Sequence, residues 1–431
     1  MKILLEAPIL TQSGYGEHSR LVFQALDELD GVRIFVNPLN WGKTGWTSSF
    51  DPKIKSNVSS AIESFKKESE INKKTKQDPS YDIHIHVGIL NEFTKKAPYS
   101  VCVTAGIETD RVSPDWLMRT WKGLNKIIVP SEHAKRGFVQ TQYVIEGNKG
   151  EKQTLMLNPS VPVEVVSYPV KKVKEKTLDF ETSTSFNFLS VSLLGPRKNI
   201  ENMIRWFVEE FTDEDVGLII KTGKSCGSLM DRMWTQDYFK RLLAPYQNRK
   251  CKVYLLHGDL EEEEVHSLYL RDDVKAYVNL AHGEGFGLPL FEAAYSGLPV
   301  IAPDWSGHLD FLEAPYKEGG KVKNKKLFAK VDFDLAAIPD HVVWKDVIIE
   351  QSQWAYPKET SYKRQLREVY KNYGMYKKWA EHLEEHINEK CEKEKVLKSL
   401  RLALVGEGLG TKVKTKENQD WIQENAEIRV I

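Results

Sequence analysis

The chain has 431 residues, too many for one ordinary hydrophobic core and enough for two domains of about 150–200 residues each. Hydrophobic residues at 41% are ordinary for a globular protein, and 61 basic side chains balance 61 acidic ones, so no net field draws in a polyanion. The four cysteines, Cys102, Cys226, Cys251 and Cys391, lack Cys-x-x-Cys spacing, which points away from a zinc ribbon or a disulfide framework and towards reduced thiols in a cytoplasmic protein.

Met1 to Glu6 has no long apolar core and reads as a first strand, not a signal peptide. No apolar run reaches the roughly 18 residues of a membrane helix. After the strand Ile3–Ala7 come Thr11-Gln12-Ser13-Gly14-Tyr15-Gly16 and a helix with Val22, Leu26 and Leu29 on one face, the strand, glycine loop and helix that open a Rossmann-like unit. The Gly-x-Gly-x-x-Gly dinucleotide fingerprint is incomplete here. A second strand, Val32–Val36, leads into a loop carrying Trp41 and Trp46, aromatic groups suited to stacking on a sugar or base, or to capping the core. Lysines 53, 55, 66, 67, 73, 74 and 76 crowd the next polar stretch, by default a solvated surface. In Tyr81–Gly88 the period of two puts His84 and His86 on one face of a strand, where we expect them to line a cleft rather than to hold zinc, since no third ligand is placed. The strand Ser100–Thr104 ends in Gly106-Ile107-Glu108-Thr109-Asp110-Arg111, charged residues at the carboxyl end of a strand, where doubly wound sheets bind ligands. Glu108 and Asp110 are acceptor-side candidates, against an Asp110–Arg111 ion pair that only holds the loop. Ser131 is placed to cap a helix after the strand Lys126–Pro130.

Residues 171–185 turn charged and small without apolar periodicity, as an interdomain linker does. A second Rossmann unit begins at Phe186–Val191 and runs into Gly195-Pro196-Arg197-Lys198-Asn199, whose paired cations would offset charge developing on a leaving diphosphate. Lys221 ends the strand Val216–Ile220 and points at the same crevice, and His257 follows the strand Lys252–Leu256. The acidic run Glu261–Glu264 reads as a solvated first helical turn, and Asp332-Phe333-Asp334 as a surface turn. Between them lies the stretch the chain is built around. Two short apolar runs, Ala276–Leu280 and Leu298–Ala302, read as buried parallel strands, and a glycine loop and one helix join them. Pro289 opens that helix and Gly297 closes it. The amides of Gly285, Phe286, Gly287 and Leu288 thus gather at a helix N-terminus and favour an anion, with Glu284 and Glu292 bracketing them at a spacing of seven residues. From Ser361 the pattern is helical towards Leu404.

The run Glu284-Gly-Phe-Gly-Leu-Pro, Glu292-Ala-Ala and Gly297-Leu-Pro-Val-Ile-Ala resembles the Glu-x7-Glu signature of the retaining, nucleotide-sugar-dependent glycosyltransferases of the GT-B type. The Gly-x-x-Glu-x-Asp-Arg segment at 106–111, the Val-Pro-Ser at 129–131 and the Pro-Arg-Lys-Asn at 196–199 are similar to that family as well. The resemblance implies two Rossmann-like domains facing across a cleft: an acceptor domain over 1–178, a donor domain over 179–360, and helices from 361 returning to the first domain. It implies donor contacts by Gly14, Gly16, Lys221, His257, the 285–288 backbone and Glu292, the last on the ribose diol. It further implies that Arg197, Lys198, Glu284, Glu108 and Asp110 form the catalytic centre, with Trp41, His84 and His86 on the acceptor side. No metal and no cofactor are expected; the co-substrate is a nucleotide diphosphate sugar, with UDP as its nucleotide. Leu193 stands where many members carry Arg, and Lys221 is the expected substitute. The acceptor stays open between a saccharide, a small metabolite, a protein and, as in some phage-encoded relatives, a hydroxymethylated base in DNA. A nucleotide-sugar-binding protein or an epimerase shares the two-Rossmann cleft; a phosphorylase would need a pyridoxal lysine that no motif supplies.

Overall fold

The computed structural model describes residues 1–42, 52–76, 79–146, 152–225 and 227–410. Trp46 and Cys226 lie outside the described residues. The first unit runs β1 (Lys2–Ala7), α1 (Gly14–Asp27), β2 (Arg33–Pro38), α2 (Pro52–Thr75), β3 (Ile83–Val87), β4 (Tyr99–Val103), α3 (Pro114–Thr120), β5 (Lys126–Val129), α4 (Glu132–Gln140), an antiparallel pair β6 (Gln142–Glu146) and β7 (Lys152–Met156), and β8 (Val163–Val165). Six of these strands form a parallel sheet in the order β2-β1-β3-β4-β5-β8. Strands buried on both faces need continuous apolar sequence, and Ile3, Leu5, Ile85, Val101, Val103, Ile127 and Val129 are all fully enclosed.

The second unit continues with β9 (Asn187–Val191), α5 (Ile200–Glu210), β10 (Gly217–Lys221), α6 (Leu229–Leu243), β11 (Lys252–Leu256), α7 (Glu262–Leu270), β12 (Val274–Val278), α8 (Leu288–Tyr295) and β13 (Val300–Pro303). A hairpin of β14 (Glu313–Glu318) and β15 (Lys321–Lys326) precedes β16 (Ala329–Val331), and β17 (Phe333–Ala337) pairs antiparallel with β18 (Gln353–Pro357). Its parallel sheet has the order β11-β10-β9-β12-β13-β16. The chain therefore reverses direction between β1 and β3 in the first sheet and between β9 and β12 in the second. Crevices at the carboxyl ends of those strands are where open α/β sheets bind ligands.

Four helices end the described chain: α9 (Glu359–Lys371), α10 (Tyr373–Lys390), α11 (Lys393–Val405) and the single turn α12 (Glu407–Gly410). The sequence reads as one helical stretch, but the run breaks at Asn372 and again at Cys391 and Glu392. Helix α10 packs on α8, and α11 packs on α1 of the first unit, where Arg401 pairs with Glu28. The chain crosses between units at two neighbouring points, because Val170 donates its amide to the Cys391 carbonyl at 2.9 Å. The acidic run before α7 is not merely solvated: Glu261 and Glu264 form a reciprocal cap on the helix and pair with Lys176, and Glu262 pairs with Lys171 of the linker. Asp332 and Asp334 are exposed and pair with Arg364 and Lys358.

Candidate active site

Helix α8 begins where its sequence allows it to. Gly287 takes a left-handed φ of 94° immediately before it, Pro289 occupies the first turn, and Gly297 with φ 68° follows its end. No turn hydrogen bond spans 284–288, and the amides of Gly285, Phe286, Gly287 and Leu288 have no protein acceptor among the described residues. These four N–H groups lie in the loop that leads into the positive end of helix α8. Phe286 contributes only its backbone, since its ring is buried against Tyr168, Phe291 and Phe311.

Across the crevice, Pro196–Lys198 form one tight turn after β9, and Asn199 with φ 53° directs the chain into α5. Arg197 Nη1 donates to Glu284 Oε2 at 2.9 Å, and Lys198 Nζ to Glu284 Oε1 at 2.6 Å. Asn279 Nδ2 adds a third contact at 3.2 Å. Burial alone would raise the Glu284 carboxyl, but Lys198 and Arg197 outweigh it and hold it down at about 2. Lys198 is depressed by burial and by Arg197, against the pull of Glu284. Arg197 also reaches the first unit, with Nη2 2.7 Å from Glu108 Oε1. Burial raises the Glu108 carboxyl in spite of that arginine. Two cations and two carboxylates from both units therefore share one cluster, partly buried around the buried Glu284.

Glycine is needed here for a reason the sequence did not show. A Cβ on Gly283 would stand 2.1 Å from the Glu108 carbonyl oxygen, and one on Gly285 1.9 Å from that of Ala105. The loop lies main chain to main chain against the first unit, held by Ser131 Oγ, which donates to the Gly285 carbonyl at 2.6 Å while capping α4.

Glu292, inside α8, is partly buried and accepts from Tyr269 Oη at 2.9 Å. Burial pushes its carboxyl up to about 7, against the attraction of Lys171 and the Tyr269 bond. Lys171 itself pairs with Glu17 of α1 at 2.7 Å and with Glu262, so a linker lysine ties the two units beside Glu292. Neither Lys171 nor Tyr269 belongs to a readable motif.

The other candidates divide. Gly14 has open space where a side chain would go, whereas a Cβ on Gly16 would meet the Thr11 carbonyl at 2.0 Å, so only glycine fits the turn there. Lys221 ends β10 with Asp259 as its charged neighbour, and burial lowers its ammonium. His257 sits beside Gly223, 3.6 Å from Asp231. Leu193 is 53% exposed. Asp110 corrects its expected role: one carboxylate oxygen is held by Arg111 at 2.8 Å and the other accepts the Gln353 amide at 2.7 Å, so it fastens β18 to the first unit. His84 and His86 are corrected too. Both are buried, His84 Nε2 lies 2.9 Å from Glu6 Oε2, and His86 Nε2 lies 3.3 Å from the Ile89 carbonyl. The alternation of β3 gave their shared face but not that the 89–97 segment covers it, where Phe93 stacks on His84. Glu6, His84 and His86 come within 4.8 Å of one another, as a metal site requires. However, the Lys96 ammonium already sits 2.7 Å from the same carboxylate, and His84 Nδ1 has no partner to orient the ring.

Residues 174–329 match the family described as glycosyl transferases group 1, so the second unit carries that domain. A stretch of 121 residues is 31% identical to the serotype-specific mannosyltransferase WbdA of Escherichia coli, covering 27% of this chain and 13% of that protein. A stretch of 134 residues is 30% identical to the sucrose synthase of Melioribacter roseus, covering 29% and 16%. The chain spans less than a fifth of the length of these curated relatives. Among solved structures, HepE of Anabaena in complex with UDP-glucose superposes with a TM-score of 0.54 at 12% identity, covering 94% of this chain and 100% of that one. Sucrose-phosphate synthase from Thermosynechococcus elongatus gives 0.56 at 12% identity, covering 93% and 97%. These likenesses show the fold: two Rossmann-like domains in the GT-B arrangement.

Proposed function

We propose that this chain, with a glycosyl transferases group 1 domain as its second unit, transfers a sugar from a nucleotide diphosphate sugar to a hydroxyl of a saccharide or small-molecule acceptor. The donor would be a UDP-sugar, as in the HepE complex, and the reaction would retain anomeric configuration and need no metal ion. The observation that supports this is the pairing of Arg197 and Lys198 with Glu284, the residue just before a loop whose 285–288 amides have no protein acceptor among the described residues. A diphosphate there accepts from the amides and draws the two cations away from Glu284. Glu284 is then free to accept hydroxyls of the transferred sugar, and Glu292 to accept the ribose diol.

In the reaction, the bond between the sugar's anomeric carbon and the leaving phosphate oxygen breaks as the acceptor oxygen bonds to the same face. The leaving phosphate oxygen takes the acceptor's proton. Arg197 and Lys198 stabilise the charge that develops on the diphosphate, and the closed units hold the reactants together. A hydroxymethylated-DNA acceptor is less well supported, because Lys2 at the start of β1 pairs with Glu68. That contact puts Lys66 and Lys67, beside Glu68, near the amino-terminal end of β1, opposite the strand ends that face the cleft. Incubation with a panel of nucleotide sugars, with and without chelator, followed by mass spectrometry for free UDP or GDP, tests the proposal. Intact donors in every case would leave a binding protein instead.

A further inference from the structure

We infer that Trp41 and Trp344 form an aromatic shelf at the cleft mouth on which a pyranose ring of a saccharide acceptor stacks, an inference that rests on the transferase proposal above. The two residues come from different units. Trp41 follows β2, and its ring packs on Tyr15 at 4.5 Å between centroids. The Tyr15 hydroxyl accepts from the Gly106 amide at 2.9 Å, and that segment continues to Glu108, which pairs with Arg197. Trp344 lies in the connection between β17 and β18, 6.4 Å from Trp41 and inclined to it by 52°. Direct contacts therefore lead from Trp344 to the cation cluster.

Trp344 is also held in place. Its amide and carbonyl exchange hydrogen bonds with Ile348 at 2.9 and 2.8 Å, closing a short turn. Within that turn Asp346 takes a left-handed φ of 62°, a strained setting for a residue with a side chain. The Asp346 carbonyl accepts from Ser113 Oγ of the first unit at 2.7 Å, fixing the turn across the cleft. This backbone presents an indole that is still 49% exposed. A large aromatic on a fixed turn yet left half open, linked through Trp41 and Tyr15 to the segment that carries Glu108, suits a ligand with an apolar face and a polar rim. A pyranose has that shape: its C–H face lies on the ring while its hydroxyls reach carboxylates such as Glu108.

The test is acceptor kinetics with UDP-hexoses as donors and short unbranched oligosaccharides as acceptors. Trp344→Ala should raise the acceptor KM about tenfold with the donor KM within twofold of wild type, the scale of one lost stacking contact. Trp344→Phe should recover most of that loss, and Trp41→Ala should act in the same direction. An unchanged acceptor KM in Trp344→Ala overturns the shelf. So does a wild-type enzyme that hydrolyses UDP-hexoses and glycosylates glycerol or hydroxymethylated DNA but none of the oligosaccharides. If wild type releases neither UDP nor GDP from any nucleotide sugar, the transferase proposal itself fails and the shelf falls with it.

Discussion

Replacing Glu284 with glutamine keeps the shape of the side chain and removes the charge that Arg197 and Lys198 share. A carboxyl held at about 2 against an ordinary 4.5 corresponds, at about 1.4 kcal/mol per pH unit, to about 3 kcal/mol of stabilisation at neutral pH. This agrees with the roughly 3–5 kcal/mol typical of breaking a buried ion pair from one side. Because the folded value lies below the unfolded one, the contribution is complete above about pH 4.5 and disappears as pH falls towards 2. Glu284→Gln should therefore unfold at markedly lower urea than wild type at pH 7, and the gap should narrow as the pH falls below 4.5. The same substitution releases two cations that a diphosphate would otherwise have to detach. UDP should then bind the variant more tightly by calorimetry, even though turnover drops for want of a sugar contact. A loss of stability under about 1 kcal/mol, a gap indifferent to acid, or weaker UDP binding would each refute the reasoning.

Lys198→Ala should cut turnover about 100-fold or more, since it removes one of the two charges facing the leaving group, and steady-state kinetics with the best donor would show it. Glu292 titrates the other way: its folded value of about 7 lies above the unfolded one, so it costs stability as pH rises from about 4.5 to 7. Glu292→Gln should accordingly gain melting temperature relative to wild type at pH 8 compared with pH 5, while losing UDP affinity. Gly285→Ala places a methyl group 1.9 Å from the Ala105 oxygen, so the facing loops must part by about 1 Å. That should stretch the Arg197–Glu108 pair and lower both turnover and melting temperature; a variant with wild-type values would show that the two loops do not meet.

What the sequence makes legible is local. Pro289, Gly297 and the apolar runs around them specify helix α8, and the loop before it follows from the same residues. Arg197 and Lys198 stand 87 and 86 residues from Glu284, and only the resemblance of both segments to one family groups them in the sequence. Partners that are backbone atoms of the other unit are a different matter. Nothing in Gly-x-x-Glu-x-Asp-Arg says that Asp110 will take the Gln353 amide, and nothing near Gly285 says that its missing Cβ makes room for Ala105. The alternation of β3 places His84 and His86 on one face, yet which face is covered depends on the later 89–97 segment. Trp344 escaped notice because a lone tryptophan between two short strands has no periodicity to read.

The adjacency of Val170 and Cys391 gives the molecule a pivot. Two passages of chain lying side by side behave like the leaves of a door hinge: rotation about their common line is cheap, while twisting or sliding of one half past the other would tear at both. Any gape that admits a donor would also part the polar contacts between the units, where Ser113 meets Asp346 and Asp110 meets Gln353. Polar clasps of that kind would help to set how often the door stands ajar.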